Sequence, residues 1–299
     1  MQFQYTYSVV IPHFNSPETL KRMLESIPER DDIQVIVVDD GSSDENKNAL
    51  SRLSHKNLEV CYNATNMGGG FSRNAGFSYV KGKWFIGCDA DDFFSEGAFD
   101  VLDKYVEKDI DYLCYCIKVL KDKSLEPLGR TVRSDASVRR YLAKADKKGM
   151  NLFKFRNYEP WNKMIRADFI RKNNIHWENC RINIDVMFSL QLGLYGKKIE
   201  AIPNELYNLV FSENSITRKK KNIEREFGFY LQVVKRNTVY KALGLGHPFY
   251  RCELLYIPFL LKKRGIKDTL AFYKYKREHA QLVQEARRAY LPLLQNREN

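Results

Sequence analysis

Short apolar runs alternate with helix-like stretches along the first 120 residues of the chain. The runs lie at residues 7–11, 33–38, 58–62, 84–88 and 112–120. Runs of this kind between polar residues are typical of buried strands. Between the first two, Ser16 followed by Pro17 marks the start of a helix. The alternation predicts an α/β fold with a mostly parallel central sheet flanked by helices.

The regular first part includes one helix after a glycine-rich stretch, and the pattern is less regular beyond residue 120. A glycine-rich stretch precedes a predicted helix whose inward face we expect to consist of Phe71, Ala75, Tyr79 and Val80. Beyond residue 120 the pattern predicts helices near 138–147, 165–172 and 185–195 and a strand near 199–209.

Charge is concentrated at the end of the chain. Residues 217–299 contain 19 lysines and arginines against 7 acidic residues, whereas residues 1–216 contain 30 of each, so the last region carries the whole net charge of +12. We therefore expect a neutral domain at 1–216 and a basic, aromatic-rich helical region at 217–299. Cations mixed with aromatic residues and leucines suit the anionic inner face of a membrane. A basic face whose apolar side packs on the rest of the protein is the alternative, and nucleic-acid binding fits poorly because no recognisable binding module accompanies the charge.

Composition indicates a globular protein. The 299 residues are 44% apolar and 29% charged, which is enough for a sizeable core. The first residues lack the form of a secretory signal peptide, and no apolar run approaches the length of a membrane span, so we expect a cytoplasmic location. The six cysteines have no zinc-type spacing and are expected to be reduced and buried, with Cys114 and Cys116 on one face of a strand.

Three carboxylates follow the apolar run that ends at Cys88. Asp89, Asp91 and Asp92 lie within four residues, where they repel one another unless a cation or a set of donors holds them. Oxygen ligands on a loop suit Mg²⁺ or Mn²⁺, which commonly also bind substrate phosphates. This cluster therefore predicts metal-assisted phosphate chemistry.

A second acidic pair follows another predicted strand. Asp39 and Asp40 come directly after the run at 33–38 and begin a turn. In open parallel α/β sheets the ligand lies outside the carboxyl ends of the strands. Both acidic groups are therefore expected to line one crevice.

Four ordered motifs resemble glycosyltransferase family 2. They are SVVIPHFN at 8–15, VVDDGSSD at 37–44, NMGGGFSRNAG at 66–76 and DADD at 89–92. The resemblance covers about residues 7–120 closely, weakens through the 160s to residue 185, and does not extend to the basic region. It implies a GT-A fold for residues 1–216, with nucleotide-sugar binding and catalysis in that domain.

The resemblance also implies a nucleotide site. Asp40 would accept a hydrogen bond from the base, with Asp39 supporting the loop, and a carboxylate is well suited to read an N–H group. Pro12, Phe14 and Asn15 would form the other wall of the base pocket. A turn or helix-cap role is the alternative for Asp39.

The phosphate and metal groups follow from the same resemblance. Arg73 corresponds to an arginine near the diphosphate, with a surface salt bridge as its alternative. Asp91 is the expected direct ligand of Mn²⁺ or Mg²⁺. Asp89 is assigned to both the metal and the nucleotide, and Asp92 to the acceptor side.

Acceptor residues are expected later in the chain. Asp185 resembles the aspartate of the family's Glu-Asp pair and is the candidate general base, although Ile184 stands where the glutamate usually does. A helix N-cap is the alternative for Asp185. Trp161 resembles the family's acceptor-side tryptophan, with a core position as its alternative.

Together these features predict an inverting, metal-dependent glycosyltransferase. It would move a sugar from a nucleotide diphosphate, with a UDP-sugar as the expected donor, to a hydroxyl of a glycan or lipid-linked glycan in a bacterial surface-polysaccharide pathway, on the inner face of the cytoplasmic membrane. Two alternatives stay open. One is a nucleotidyltransferase, although the first strand leads into Pro12 rather than into a glycine-rich phosphate signature. The other is an inactive glycan-binding scaffold, which the change at Ile184 would allow and the intact acidic cluster opposes.

Overall fold

The computed structural model describes most of the chain. The described residues are 3–180, 182–211, 222–245 and 253–295. Parts of the predicted basic region therefore lie outside them, at 217–221, 246–252 and 296–299.

The chain forms two compact units. The first comprises residues 1–179 and 188–215, and the second comprises residues 180–187 and 216–299. The domain organisation inferred from charge, with its division after residue 216, stays a prediction.

The first unit is built on one sheet. Its strands are β1 (Tyr5–His13), β2 (Ile33–Asp39), β3 (Leu58–Tyr62), β4 (Gly82–Gly87), β5 (Phe93–Phe94), β6 (Tyr112–Lys121), β7 (Lys163–Arg166) and β8 (Ile199–Phe211). They are ordered β3-β2-β1-β4-β7-β6-β8-β5. Strands β3, β2, β1 and β4 run parallel, whereas β7 is antiparallel to both of its neighbours.

Helices connect and follow the strands. They are α1 (Pro17–Glu25), α2 (Asp44–Leu50), α3 (Gly69–Ser78), α4 (Ala98–Leu102), α5 (Arg133–Ala143), α6 (Lys147–Arg156), α7 (Ala167–Lys172), α8 (Ile184–Tyr195), α9 (Ile223–Ala242), α10 (Glu253–Glu278), α11 (Ala280–Arg288) and α12 (Leu291–Gln295). A short 3₁₀ turn covers Asp103–Tyr105. The predicted α/β class is confirmed, and the sheet is parallel in its first half and mixed beyond β4.

The parallel half of the sheet is deeply buried. Every residue of β2 is buried, which explains why its sequence reads as a continuous apolar run rather than as an alternating one. The parallel register sets His13 at the end of β1 opposite Asp39 at the end of β2. The ends of β1, β2 and β4 therefore meet at one edge of the sheet.

The inward face of α3 differs from the expectation. Its buried residues are Gly70, Ser72, Arg73 and Gly76. Tyr79 is exposed, and Phe71 and Ala75 are only half-buried, so the predicted inward face was wrong for these three residues. The reason is close approach: a Cβ added to Gly76 would lie 2.5 Å from Cγ1 of Val10 and 3.0 Å from Cγ2 of Val38. Small residues let the helix lie directly on β1 and β2.

Two further elements correct the expected pattern. Residues 163–166 form β7, although the spacing predicted a helix over 165–172, which begins only at Ala167. Helix α6 lies where no separate helix was expected, and its start is capped by Asp146, which accepts a hydrogen bond of 2.6 Å from the Gly149 N–H.

The second unit has an aromatic core. Phe227 and Tyr230 of α9 pack with Tyr256 and Phe272 of α10. Glu226 is buried beside this core and accepts a hydrogen bond of 2.7 Å from the Tyr256 hydroxyl. Helix α10 is broken at Gly265, where φ is 82° and ψ is 176°. Among the described residues, no helix combines the length and the apolar character that crossing a bilayer requires.

Candidate active site

A buried polar network joins the ends of β1 and β2. His13 Nδ1 lies 2.9 Å from Oδ1 of Asp39, and both side chains are fully buried. The backbone N–H of Ser16 donates to His13 Nε2 over 3.1 Å, so Nδ1 carries the proton that Asp39 accepts. Asp39 also accepts hydrogen bonds from the Ser42 N–H and hydroxyl. Asp39 thus holds its own turn, and its part in a nucleotide site stays a prediction.

Asp40 anchors the glycine-rich turn that leads into α3. Its carboxylate accepts hydrogen bonds from Asn63 Nδ2 at 2.9 Å, from the Met67 N–H at 2.9 Å and from the Gly68 N–H at 2.7 Å. A carboxylate has about four acceptor positions, so the donors among the described residues leave about one for a ligand. Contact between Asp40 and a base stays a prediction.

At Gly41 the backbone passes close to the backbone of Thr65. Its φ is +74°, and an added Cβ would lie 2.6 Å from the carbonyl carbon of Thr65. Only glycine fits this left-handed position against a neighbouring backbone. The turn after β2 and the turn before α3 are therefore in direct contact.

The predicted opposite wall comes from the end of β1. Asn15 donates its backbone N–H to Ser42 Oγ at 2.8 Å, and its side-chain oxygen accepts from the Ser43 N–H at 2.9 Å. Phe14 is exposed and Pro12 is half-buried. Asn15 thereby joins the two loops, and Phe14 is available to stack on a ligand.

Arg73 links the nucleotide side to the acidic cluster. It is buried in the second turn of α3, and its Nη2 contacts Oδ1 of Asp89 directly. The predicted diphosphate arginine therefore lies beside a predicted metal ligand. The guanidinium supplies positive charge to the cluster. Its planar fork of N–H donors can bind both carboxylate and phosphate oxygens.

The three carboxylates of the loop after β4 converge. One oxygen from each of Asp89, Asp91 and Asp92 lies within 4.8 Å of the others. Enclosure by protein and the charge of Asp89 raise the pKa of Asp91 to about 6, although part of its side chain is exposed. Burial, followed by the charges of Asp91 and Asp89, raises the pKa of Asp92 well above its usual value. A crowded set of oxygen donors, in which the pKa values of Asp91 and Asp92 are raised, fits a hard divalent cation.

Neighbouring elements fix this loop. The Val210 N–H of β8 donates to Asp92 Oδ1 at 2.8 Å, and the Asp89 N–H donates to the Tyr207 hydroxyl at 3.0 Å. Arg22 of α1 donates to the Asp91 carbonyl and lies over the ring of Phe93, 5.2 Å from its centroid. Both ends of the loop are therefore held by residues far away in the sequence.

Trp161 lies in the core. It is buried and stacks on Tyr207 with ring centroids 5.6 Å apart and an angle of 3° between the planes. Its carbonyl accepts a hydrogen bond of 2.9 Å from the Tyr115 hydroxyl. This packing agrees with the core alternative, and an acceptor role for Trp161 stays a prediction.

Asp185 lies in the first turn of α8. The helix begins at Ile184, and the Val186 N–H donates to the Asn183 carbonyl at 3.1 Å. Asp185 is half-buried and belongs to the second unit. Its predicted role as general base stays a prediction.

Several supporting residues were not identified from the sequence. They are His13, Arg22, Asn63, Asn74 and Tyr207. Asn74 pairs with both backbone groups of Trp177, donating to its carbonyl at 2.8 Å and accepting from its N–H at 2.9 Å. For His13, the position between Pro12 and Phe14 within the first motif was a usable signal. The other four act across long sequence separations, which no local pattern reveals.

A sequence model of the glycosyl transferase family 2 matches residues 8–172, which is more than half of the chain. The chain belongs to glycosyltransferase family 2. The match contains all four motifs, the acidic cluster and Arg73, and the family predicted from those motifs is confirmed. It also favours the glycosyltransferase interpretation over the nucleotidyltransferase one.

Three curated glycosyltransferases are similar to this chain over different shares of its length. The cholesterol galactosyltransferase of Borreliella burgdorferi is 26% identical over 311 residues, covering 94% of this chain and 83% of that protein. The GalNAc(5)-diNAcBac-PP-undecaprenol beta-1,3-glucosyltransferase of Campylobacter jejuni is 24% identical and covers 76% and 72%. The poly(ribitol-phosphate) beta-N-acetylglucosaminyltransferase TarS of Staphylococcus aureus is 31% identical over 96 residues, and the chain spans 17% of its length.

Solved structures share the fold. Residues 1–349 of S. aureus TarS, crystallised with UDP-GlcNAc, superpose with a TM-score of 0.61 at 20% identity, covering 77% of this chain and 66% of that one. A second crystal structure of the same TarS segment superposes with a TM-score of 0.58 at 17% identity, covering 92% of this chain and 92% of that one. These neighbours are GT-A glycosyltransferases, so the predicted GT-A fold is confirmed.

Proposed function

We propose that this family 2 glycosyltransferase moves a sugar from a UDP-sugar to a hydroxyl of a cell-envelope glycan or lipid-linked glycan, with inversion at the anomeric carbon. The observation that carries the proposal is the junction of Arg73 with the acidic cluster at the end of β4, inside the segment matched by the family model. TarS was crystallised in complex with UDP-GlcNAc, which supports a UDP-sugar donor. The relatives are named for cholesterol, for poly(ribitol-phosphate) and for a PP-undecaprenol-linked glycan, which supports a glycan or lipid-linked acceptor.

The nucleotide would bind at the ends of β1 and β2. Phe14 is exposed there and offers a ring for stacking on the base, with Pro12 and Asn15 beside it. Asp40 would receive the base N–H at its remaining acceptor position while its other contacts hold the turn. Asp39 fixes the loop from beneath through His13 and Ser42.

The acidic cluster would hold a divalent cation. Asp91 and Asp89 are the proposed ligands of Mn²⁺ or Mg²⁺, because their oxygens converge and Asp91 is partly exposed. When bound, such an ion stabilises the negative charge on a departing nucleoside diphosphate. Arg73 would add a second positive charge beside Asp89, and we propose that it binds phosphate oxygens.

The acceptor step would use Asp185 as general base. The attacking hydroxyl forms a bond to the anomeric carbon while the bond from that carbon to the phosphate oxygen breaks, and the hydroxyl proton passes to the Asp185 carboxylate. UDP departs with the bonding electrons, and attack opposite to it gives inversion. Trp161 and Asp92 are the proposed acceptor-side residues. Both are buried, so we expect them to shape the wall of the acceptor site.

The acceptor would be presented at a membrane. One relative is named for a PP-undecaprenol acceptor and another for cholesterol, and the net charge of +12 lies in residues 217–299. We propose peripheral attachment of this basic region to the anionic inner face of the cytoplasmic membrane.

Calorimetric titration with UDP, GDP, dTDP and CDP, with and without Mn²⁺, tests the donor site. We expect UDP to bind tightest, and only with the metal, in wild type, and to lose the metal-dependent part in Asp91→Ala. Asp31→Ala is the matched control, because that aspartate is exposed and forms a surface ion pair with Lys56. Absence of metal-dependent binding for every nucleotide would favour the scaffold alternative instead.

A further inference from the structure

The second half of α10 exposes an apolar stripe. After the break at Gly265, the side chains of Ile266, Leu270 and Tyr273 are 70%, 63% and 49% exposed. Their spacing of four and three residues places them on one face of the helix. We call these three residues the α10 stripe.

The stripe is not the face of α10 that packs into the core of the second unit. Thr269 and Phe272 are buried, and Phe272 packs among Phe227, Tyr230 and Tyr256. At about 100° per residue, these core-facing positions lie roughly a fifth to a third of a turn from the centre of the stripe. Core packing therefore does not account for the three exposed apolar side chains.

Cations border the stripe. Lys267 and Lys274 are exposed and seven residues apart, which puts them on the same flank, and Arg277 continues the line of the stripe by one turn. Asp268 lies on the opposite side of the helix from the stripe, as the helical spacing requires. Glu278 lies 4.0 Å from Lys274 in an exposed pair, which contributes little. The border keeps an excess of positive charge, in a region whose net charge is +12.

We propose that the α10 stripe docks on an anionic lipid bilayer, with the helix axis in the plane of the membrane. This inference rests on the proposed membrane attachment and names the surface responsible for it. Ile266 and Leu270 would enter the acyl boundary, Tyr273 would lie at the headgroup level, and the bordering cations Lys267, Lys274 and Arg277 would contact anionic headgroups.

The chemistry of the stripe favours a bilayer over other partners. Nucleic acid is bound through aromatic stacking on the bases and through contacts with the phosphates. It offers no apolar surface on which branched aliphatic side chains could be buried. A bilayer accepts both parts of this surface at once, because it buries aliphatic tips while its headgroups move to meet cations that have no fixed geometry.

Flotation of the full-length protein with vesicles tests the proposal. We compare phosphatidylcholine alone with phosphatidylcholine mixed with phosphatidylglycerol, and expect wild type to float only with the anionic mixture and to dissociate at high salt. Ile266→Ser/Leu270→Ser should abolish flotation. Its control is Leu261→Ser/Leu282→Ser, which removes two other exposed leucines of the same unit and should float as wild type does.

Charge is tested separately. Lys267→Gln/Lys274→Gln should weaken partitioning about tenfold at low salt. Lys147→Gln/Lys148→Gln lowers the net charge equally on exposed lysines of α6 and should leave partitioning unchanged. Equal loss in test and control variants, or flotation of Ile266→Ser/Leu270→Ser like wild type, would overturn the assignment.

Two more measurements separate this proposal from its alternatives. If wild type is dimeric by light scattering and Ile266→Ser/Leu270→Ser is monomeric, the stripe is an interface between two copies and the proposal is wrong. UDP titration of the same variants tests the donor site separately, because none of the proposed donor-site residues belongs to the stripe. Wild type that floats but does not bind UDP would contradict the proposed function and leave the docking surface standing.

Discussion

His13 and Asp39 form a buried hydrogen bond that joins the ends of two neighbouring parallel strands. The bond is 2.9 Å long, and the second ring nitrogen of His13 accepts from the Ser16 N–H, so the imidazole bridges β1, the start of α1 and the turn after β2. The loops proposed above to form the base pocket are therefore held together by a buried polar network.

Removing this bond should cost stability. In His13→Leu, Asp39 stays buried with one donor fewer, and we expect the free energy of unfolding to fall by about 2–3 kcal/mol. Urea denaturation measures the change. Lys56→Leu removes the partner of the exposed Asp31 and should cost less than about 1 kcal/mol. A similar small loss for His13→Leu would show that the network is not a structural support.

Two glycine-to-alanine changes should have opposite effects. The Cβ of Gly76→Ala would meet Cγ1 of Val10 at 2.5 Å, so overpacking should destabilise the protein by about 1–3 kcal/mol. In Gly228→Ala on α9 the nearest atom is Cδ1 of Ile182 at 3.4 Å, an ordinary contact, and the gain in helix propensity should stabilise by about 0.5–1 kcal/mol. Thermal unfolding of both variants checks the pair, and the same sign for both would contradict it.

Charge repulsion in the acidic cluster should destabilise the metal-free protein. The pKa of Asp91 is raised to about 6 in the folded state from an ordinary value of about 3.8. Between these two pH values the folded state therefore keeps a proton on Asp91 that the unfolded state has lost. Stability from this group is therefore present at low pH and is lost as pH rises through about 6.

Asp91→Asn should accordingly be more stable than wild type at pH 7.5 in a chelator, and the difference should shrink as pH falls below 6. Added Mn²⁺ should stabilise wild type and not the variant, by about 2.7 kcal/mol when the ion is at 100 times its dissociation constant. Differential scanning fluorimetry across pH reads both effects. An unchanged difference between pH 7.5 and 5 would rule out Asp91 as the titrating group.

The buried thiols should resist alkylation. Burial is the main cause that raises the pKa of Cys114 and of Cys116 to about 12, and it raises the pKa of Cys88 well above its usual value. Because the thiolate is the reactive form, iodoacetamide at pH 8 should modify these three far more slowly in folded protein than in urea. Half-buried Cys61 is the internal comparison, and peptide mass mapping gives each rate.

Loss of the proposed general base should reduce turnover without weakening donor binding. For Asp185→Asn we expect kcat to fall about 10²- to 10⁴-fold while UDP affinity stays the same. Asp168→Asn is the control, since that aspartate is paired with Arg166 at 2.7 Å beside β7. A normal kcat in Asp185→Asn would sink the assignment.

The sequence was informative where local pattern and structure coincide. Asp89, Asp91 and Asp92 could be placed together because they share one loop after an apolar run. Asp40 was expected directly after β2, where it lies, but its hold on the Met67 and Gly68 N–H groups depends on a turn whose path is set by contacts far from β2.

Packing was harder to predict than the positions of the longer strands. The inward face of α3 was inferred from its large apolar residues, whereas Gly76 decides it by allowing contact with Val10 and Val38. Strand β7 is only four residues long and its first three residues are all buried, so no alternation of polar and apolar residues separates it from the helix that follows.

Gly265 interrupts the regular rotation of side chains around the axis of α10. With φ at 82° the ladder of backbone hydrogen bonds is interrupted, so the residues after it need not keep the rotation of those before it. The first segment buries Tyr256 and Leu260, and the second buries Thr269 and Phe272. One glycine thus uncouples which side chains each segment turns outward, because the outer surface of the second segment is set by its own buried residues and not by the rotation of the first.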